Sequence, residues 1–296
     1  MSWIFLSLAG CASFAATGIL DKVLISRHIE DSLAYLVAIM LVQQLFSIFV
    51  VLWKGCIVEY PWTFLALIVG SLEGLMVISY VMALEVEEVS RVTAQIFVYP
   101  LFVFPAAAAL FGERLTVASC AGGLLLIASA ALASYRPSKG GRIFRSPAFP
   151  YLLAFWATAT ICSLSSKYLL LFMDEWQMVI WTSIGGISIV PFLLIDSCRR
   201  CEVRKIFEQG RAVKLAVLLE EMLDFIGRAS SIFATNMGSI ALVTSIYALQ
   251  PLMVLFMVAS LSRLRPSAMD EEVKGAAMGM KVCAVLLMVP GIYLIS

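Results

Sequence analysis

The sequence predicts an all-α integral membrane protein with ten transmembrane helices arranged as two inverted five-helix repeats. Three observations carry that expectation. The 296 residues are 61% hydrophobic and only 14% charged, whereas soluble domains carry roughly a quarter charged residues to cover a water-facing surface. With a mean hydropathy of +0.96, lipid is the better solvent for most of this chain. Its apolar residues also fall into segments near the length of about 20 that a helix needs to cross hydrocarbon. Finally, rare residue types recur at corresponding places in the two halves.

Breaking the chain at charge clusters and turn residues places spans at 2–20, 33–53, 62–84, 91–111, 117–135, 149–171, 177–195, 212–235, 240–261 and 277–295. In the first span, Leu8-Ala9-Gly10-Cys11 spells a lipoprotein-like cleavage box. No basic residue precedes it and the apolar run continues to Leu20, so a membrane span is expected and Cys11 is retained. The eighth span is the least regular, because it contains Glu220, Glu221, Asp224 and Arg228. Connections are short except for a Pro/Gly/basic linker at 137–148 and a basic loop at 196–211.

The midpoint linker points to a duplication, with repeats at 1–136 and 149–296. At an offset of 151, Tyr99-Pro100-Leu101 falls on Gln250-Pro251-Leu252, Val92-Thr93 on Val243-Thr244, and Glu73 on Asp224. Lys22 falls on Lys167 at an offset of 145. Five spans per repeat force the second copy to insert upside down, a ground plan common in secondary transporters whose site lies at the repeat interface.

Charge is nearly balanced, with 21 Lys and Arg against 20 Asp and Glu, so nucleic acid is not indicated as a partner. Its placement is informative. Sixteen Lys and Arg lie in the loops after spans 1, 3, 5, 7 and 9, against Lys54, Arg114 and Lys167 on the other side. The positive-inside rule then makes those odd-numbered loops cytoplasmic, in a multi-pass protein of the plasma (bacterial inner) membrane. The seven cysteines form no compact framework, and Cys198 and Cys201 make a lone CxxC with one His in the whole chain. Loop thiols are the expectation there, with no metal and no cofactor.

Ionisable groups inside spans cost roughly 2.5–3.5 kcal/mol at a helix centre, so they persist where they face a partner or a cavity. Glu73 lies mid-span between Gly70 and Gly74. In the eighth span Glu220, Asp224, Arg228, Ser231 and Thr235 recur at three- and four-residue spacing along one helix face. Asp224 and Arg228 can pair at i,i+4. Glu220 and Glu221 lie nearer the expected membrane edge, where solvation accounts for them. Arg91, Gln95 and Tyr99 step along the fourth span, and Thr244, Tyr247 and Gln250 along the ninth; such donors and acceptors suit a polar solute or interhelical hydrogen bonds. Pro100 and Pro251 bend these two helices. Lys22 and Lys167 sit near span ends, placed either to snorkel or to meet an anion. Trp156 and Trp181 are candidates for a cavity wall or an interfacial belt.

No phosphate-binding loop, HExxH or GxSxG is present, and no convergent nucleophile–base set supports an enzyme. Several stretches resemble the drug/metabolite transporter superfamily, in its EamA-type ten-helix branch. They are Val98-Tyr-Pro100-Leu-Phe, Phe111-Gly-Glu113-Arg-Leu115 and the small-residue run Ala121-Gly-Gly-Leu-Leu-Leu-Ile-Ala. The second half repeats the pattern through Leu249-Gln-Pro251-Leu, then departs with Ser262-Arg-Leu-Arg-Pro266 and an acidic stretch at Asp270, Glu271 and Glu272.

The resemblance implies a ten-helix basket whose central cavity is lined by helices 1, 3, 4, 6, 8 and 9. Lys22, Glu73, Gln95, Tyr99, Lys167, Asp224, Arg228, Tyr247 and Gln250 lie on those helices. It assigns Glu113 to a structural turn. The family is often drawn with cytoplasmic termini, opposite to the charge count.

The function expected is secondary transport of a small metabolite or drug-like solute, as an exporter, with Glu73 and Asp224 as proton-coupling or cation-recognising carboxylates. The alternative is a lipid-carrier flippase or accessory membrane subunit of an envelope assembly. Membrane lipids and a small solute are the expected partners. The small-residue faces at Gly122, Gly123, Gly275 and Gly279 permit contacts within one chain or in a homodimer.

Overall fold

The computed structural model describes residues 2–29, 31–87, 92, 95–113, 116–134, 147–264 and 276–295. The described residues form helices and turns, with no strand among them. In chain order the helices are α1 (Ser2–His28), α2 (Ser32–Lys54), α3 (Trp62–Val86), α4 (Pro100–Phe111), α5 (Val117–Ser134), α6 (Phe149–Leu169), α7 (Glu175–Ile187), α8 (Val190–Leu193), α9 (Ser197–Glu208), α10 (Arg211–Met237), α11 (Ile240–Tyr247), α12 (Gln250–Leu264) and α13 (Ala276–Ile295). The linker expected at 137–148 lies almost wholly outside the described residues, as do Arg91, Thr93 and Arg114.

Helix starts follow the local sequence. Asp31 accepts from the amides of Leu33 and Ala34 at the head of α2, Asp174 caps α7, and Asp196 caps α9. Each side chain satisfies an amide that the first helical turn leaves open. Pro100 stands at the first position of α4, where its missing N–H costs nothing. The fourth expected span is therefore broken ahead of Pro100, and the ninth is two helices joined at Ala248-Leu249, just before Pro251. The seventh likewise breaks at Ser188-Ile189 ahead of Pro191. Proline supplies the cause in each place, since it cannot donate to the preceding turn.

Among the described residues, six helices or helix pairs are long and apolar enough to cross a membrane: 2–25, 32–54, 62–86, 149–169, 175–193 and 240–258. The ten-span expectation thus exceeds what length and composition alone establish. α10 is long enough but carries too many charges to qualify. Phe5, Leu52 and Phe192 are each more than 70% exposed, and Phe49, Phe64 and Leu110 join them on the outer surface. An apolar coat of this extent suits lipid and not water.

The basic loop expected at 196–211 is instead a helix. α9 buries Val203 and Ile206 against α2 and leaves Arg200, Arg204 and Lys205 outside. Its three-residue apolar spacing makes one narrow stripe, as in a helix lying along a surface.

The two halves interlock. α1 packs along α10 and also meets α11 and α12, while α6 packs along α3 and meets α4. α2 packs on α7, and α5 on α13. The approach of α3 to α7 is closest at Gly70 and Gly185. A Cβ at Gly70 would stand 2.0 Å from the Thr182 carbonyl oxygen, and one at Gly185 would stand 2.2 Å from that of Leu67. Backbone meets backbone there, which only glycine permits.

Candidate functional site

Glu73 sits midway along α3 and Arg228 two-thirds along α10, so the chain must fold before they can meet. The Arg228 Nη2 donates to Glu73 Oε2 at 2.8 Å and to Thr182 Oγ1 of α7 at 3.4 Å. The Arg228 and Glu73 side chains keep 21% and 27% exposure, so the pair is not fully sealed. Asp224, one turn before Arg228, acts electrostatically on both Arg228 and Glu73. The i,i+4 pairing of Asp224 with Arg228 is therefore not the ion pair that forms. The guanidinium reaches across to the other half, because Glu73 has no other cation within 4 Å among the described residues.

A second acidic group lies closer to the α1–α2 connection. Tyr35 donates its hydroxyl to Asp21 Oδ1 at 2.7 Å, and the Asp21 and Glu220 carboxyls are within hydrogen-bonding reach of each other. Glu220 and Glu221 are 1% and 2% exposed. Solvation at a membrane edge, expected for these two, is thus corrected: α10 presses them inward, Glu220 against α1. α1 also extends to His28, beyond the expected end at Leu20, which carries Asp21 inside the helix.

The other expected residues divide. Lys167 donates to the carbonyls of Thr235 and Gly238 at 2.7 and 2.8 Å, closing the C-terminal end of α10 in the manner of a basic helix cap. Lys22, its expected counterpart, is exposed and outside the cluster. Gln250 donates to the Phe14 carbonyl at 3.2 Å, tying α12 to α1. Gln95 accepts on its backbone oxygen from Trp156 Nε1 at 2.8 Å, while its side-chain oxygen is buried with no partner among the described residues. Tyr99 stands edge-on to Phe155 at 6.4 Å, and Tyr247 packs on Phe14 at 5.7 Å. Trp181 donates to the Ile57 carbonyl. The structure thus brings Glu73, Asp224 and Arg228 together and spreads the remaining candidates over the walls and ends.

Glu113 takes the turn position expected of it and has a clear task. Its carboxylate accepts from the Ser239 hydroxyl and from the Ile240 amide at 3.0 Å, anchoring the start of α11. Beside it lies a cavity of about 610 Å³ lined by Phe111, Glu113, Ser119, Lys167, Tyr168 and Ser239. Asp21, Tyr35 and Thr182 were not singled out by sequence reasoning. The available signal for Asp21 was an acid next to Lys22 in a helix that runs on past it. No group of His, Cys, Asp or Glu among the described residues is arranged to hold a metal ion.

Residues 1–135 match the model of the EamA-like transporter family. The resemblance carried by the Val98–Phe102 and Phe111–Leu115 stretches is borne out over that segment. An EamA match indicates an integral, multi-pass membrane transporter of the drug/metabolite type. No curated protein sequence matches the chain. One solved crystal structure superposes on all of this chain and 97% of its own, with a TM-score of 0.73 at 16% identity. At that identity the likeness speaks for the fold alone, and it covers both halves of the chain.

Proposed function

We propose that the protein is a secondary active transporter, an exporter of a small metabolite or drug-like solute coupled to protons, built from two inverted five-helix repeats. The carrying observation is the Arg228–Glu73 ion pair with Asp224 beside it. It joins one acid from each half around a single cation, with the paired side chains only partly exposed. Charges in such a position are expensive, and they mark solute or proton paths in membrane proteins.

The packing supports the repeat. Exchanging the halves turns the α1–α10 contact into α6–α3 and the α6–α4 contact into α1 with α11 and α12, and both members of each pair are present. Under that exchange the repeats are 1–136 and 149–296, and α10 becomes a full span despite its charges, since Glu220, Glu221, Asp224 and Arg228 are turned away from the exposed surface. The cavity beside Lys167 and Glu113, at about 610 Å³, has the size of sites that take drug-like molecules. The excess of Lys and Arg in odd-numbered loops puts this cavity on the extracytoplasmic side, where an exporter releases its cargo.

Reconstituted protein should move solutes from a metabolite panel, with a rate that depends on an imposed pH gradient. Glu73→Gln and Asp224→Asn should each abolish that dependence. Unchanged rate and pH dependence in both variants would remove these carboxylates from coupling. Scrambling of labelled lipid without solute movement would replace the transporter reading with the flippase.

A further inference from the structure

The polar groups at the α1–α10 seam are unusual in what they lack. Glu220 Oε2 and Glu221 Oε2 are sealed inside the protein with no hydrogen-bond partner among the described residues. The Thr17 hydroxyl, one turn from Asp21 on the same face of α1, is also buried and has no partner among the described residues. Buried polar atoms in folded proteins are almost always bonded, and orphaned carboxylate oxygens specifically lack a hydrogen donor.

Among the described residues, the surroundings supply no uncommitted cation to serve as one. From α1 the group faces Asp21, from α2 Tyr35, from α3 Glu73, and from α10 itself Glu220, Glu221, Asp224 and Arg228. Arg228 is committed to Glu73 and Thr182. On α9, which packs on both α2 and α10, Arg199 is bonded to Asp31 and the Leu193 carbonyl, Arg204 to Glu208, and Lys205 to Glu202. From α7 the neighbour is the Thr182 hydroxyl.

We propose that Asp21 and Glu220 hold one proton between them, forming a proton-binding site at the α1–α10 seam that is separate from the Glu73–Arg228 pair. When a proton joins the Glu220 carboxylate, the new O–H donates to Asp21, whose Oδ1 already accepts from Tyr35. On release the O–H bond breaks with its electron pair left on Glu220, and the proton passes to water. Two ionised carboxylates then face each other across the seam, and like charges at that separation repel. Because α1 belongs to the first half and α10 to the second, protonation controls a contact between the halves. A cation such as sodium fits less well, because its oxygen ligands stand too far apart to hydrogen-bond with one another. The role in transport rests on the proton-coupled reading; the shared proton does not.

Infrared spectroscopy of the full-length protein in proteoliposomes tests this directly. At neutral pH the wild type should show a protonated-carboxyl C=O band that shifts in D2O. Asp21→Asn and Glu220→Gln should each remove one component of it. The Gln amide can donate to Asp21 as a protonated Glu would, so the second variant keeps the packing of the site. Tyr35→Phe should retain the component and move its frequency. If both acid variants fail to fold, titration of the wild-type band and its shift in Tyr35→Phe decide the matter.

A wild type with no such band, or a band unchanged in Glu220→Gln, overturns the assignment. So does a band that responds to sodium in place of potassium but not to pH. Loss of the component in both acid variants, with solute transport indifferent to an imposed pH gradient, leaves the shared proton standing and sinks the coupling reading.

Discussion

The two ends of α10 are built on opposite terms. At the C-terminal end Lys167 closes the last carbonyls and Glu113 takes up the Ser239 hydroxyl and the Ile240 amide. These donors and acceptors are matched, and the helix is fixed to α6 and to the turn after α4. In the N-terminal half Glu220 and Glu221 are as thoroughly buried, yet each has an oxygen without a donor among the described residues. Between the ends, Arg228 answers one carboxylate of several. A helix so anchored at one end and electrostatically unresolved at the other can respond to protons or cations without losing its place in the fold.

That contrast is sharpened most by the largest expected effect. Arg228→Met should leave Glu73 inside the protein with no cation. Removing one partner of a buried pair costs about 3–5 kcal/mol, and the partial exposure of this pair puts the expected loss near the bottom of that range. Thermal unfolding in detergent reads it. The double variant Arg228→Met/Glu73→Leu should recover most of the stability and none of the transport, because two apolar side chains replace the pair without a stranded charge. Recovery of transport as well would show that the pair only holds the halves together.

At the anchored end, Lys167→Met removes two charge-assisted hydrogen bonds. A loss of about 1.5–3 kcal/mol is expected, with the pH dependence of transport unchanged for the protein that folds. An altered pH profile would mean that the C-terminal end is not purely structural. Glu113→Gln keeps a carbonyl acceptor for one of its two donors. It should lower stability by about 1 kcal/mol, in the range of a lost helix cap, as read by the same unfolding measurement. The smallest effect belongs to α9. Arg204 and Glu208 are paired at 2.7 Å but are 80% and 60% exposed, and Arg204→Gln should leave unfolding temperature and transport rate unchanged.

How legible the site was depends on burial. Glu73 and Asp224 stand out in sequence because an acid in an apolar run is costly wherever the helix faces. Asp21, Glu220 and Glu221 lie near the ends of apolar runs, where the same acids could be solvated at no cost, and the sequence pattern cannot separate the two environments. The pairing was misread for a related reason. Spacing along α10 shows that Asp224 can reach Arg228, but a guanidinium chooses among all the carboxylates around it, and Glu73 arrives from another helix. α9 was read as a loop because its apolar stripe is only Val203 and Ile206, too short to register by length or hydropathy.

By itself the sequence determined that this is a helical membrane protein whose first 135 residues match the EamA-like family, where its helices start and break, and which mid-span charges need an explanation. Those properties depend on composition and on local rules of capping, proline placement and apolar length, all of which act between near neighbours in the chain. Only the tertiary structure decided that Arg228 answers Glu73, that Lys167 and Glu113 are anchors, and that Asp21 and Glu220 face one another unmatched. Charge–charge interactions are set by distance and by what else is near, and residues separated by most of the chain acquire both only when the two halves interlock.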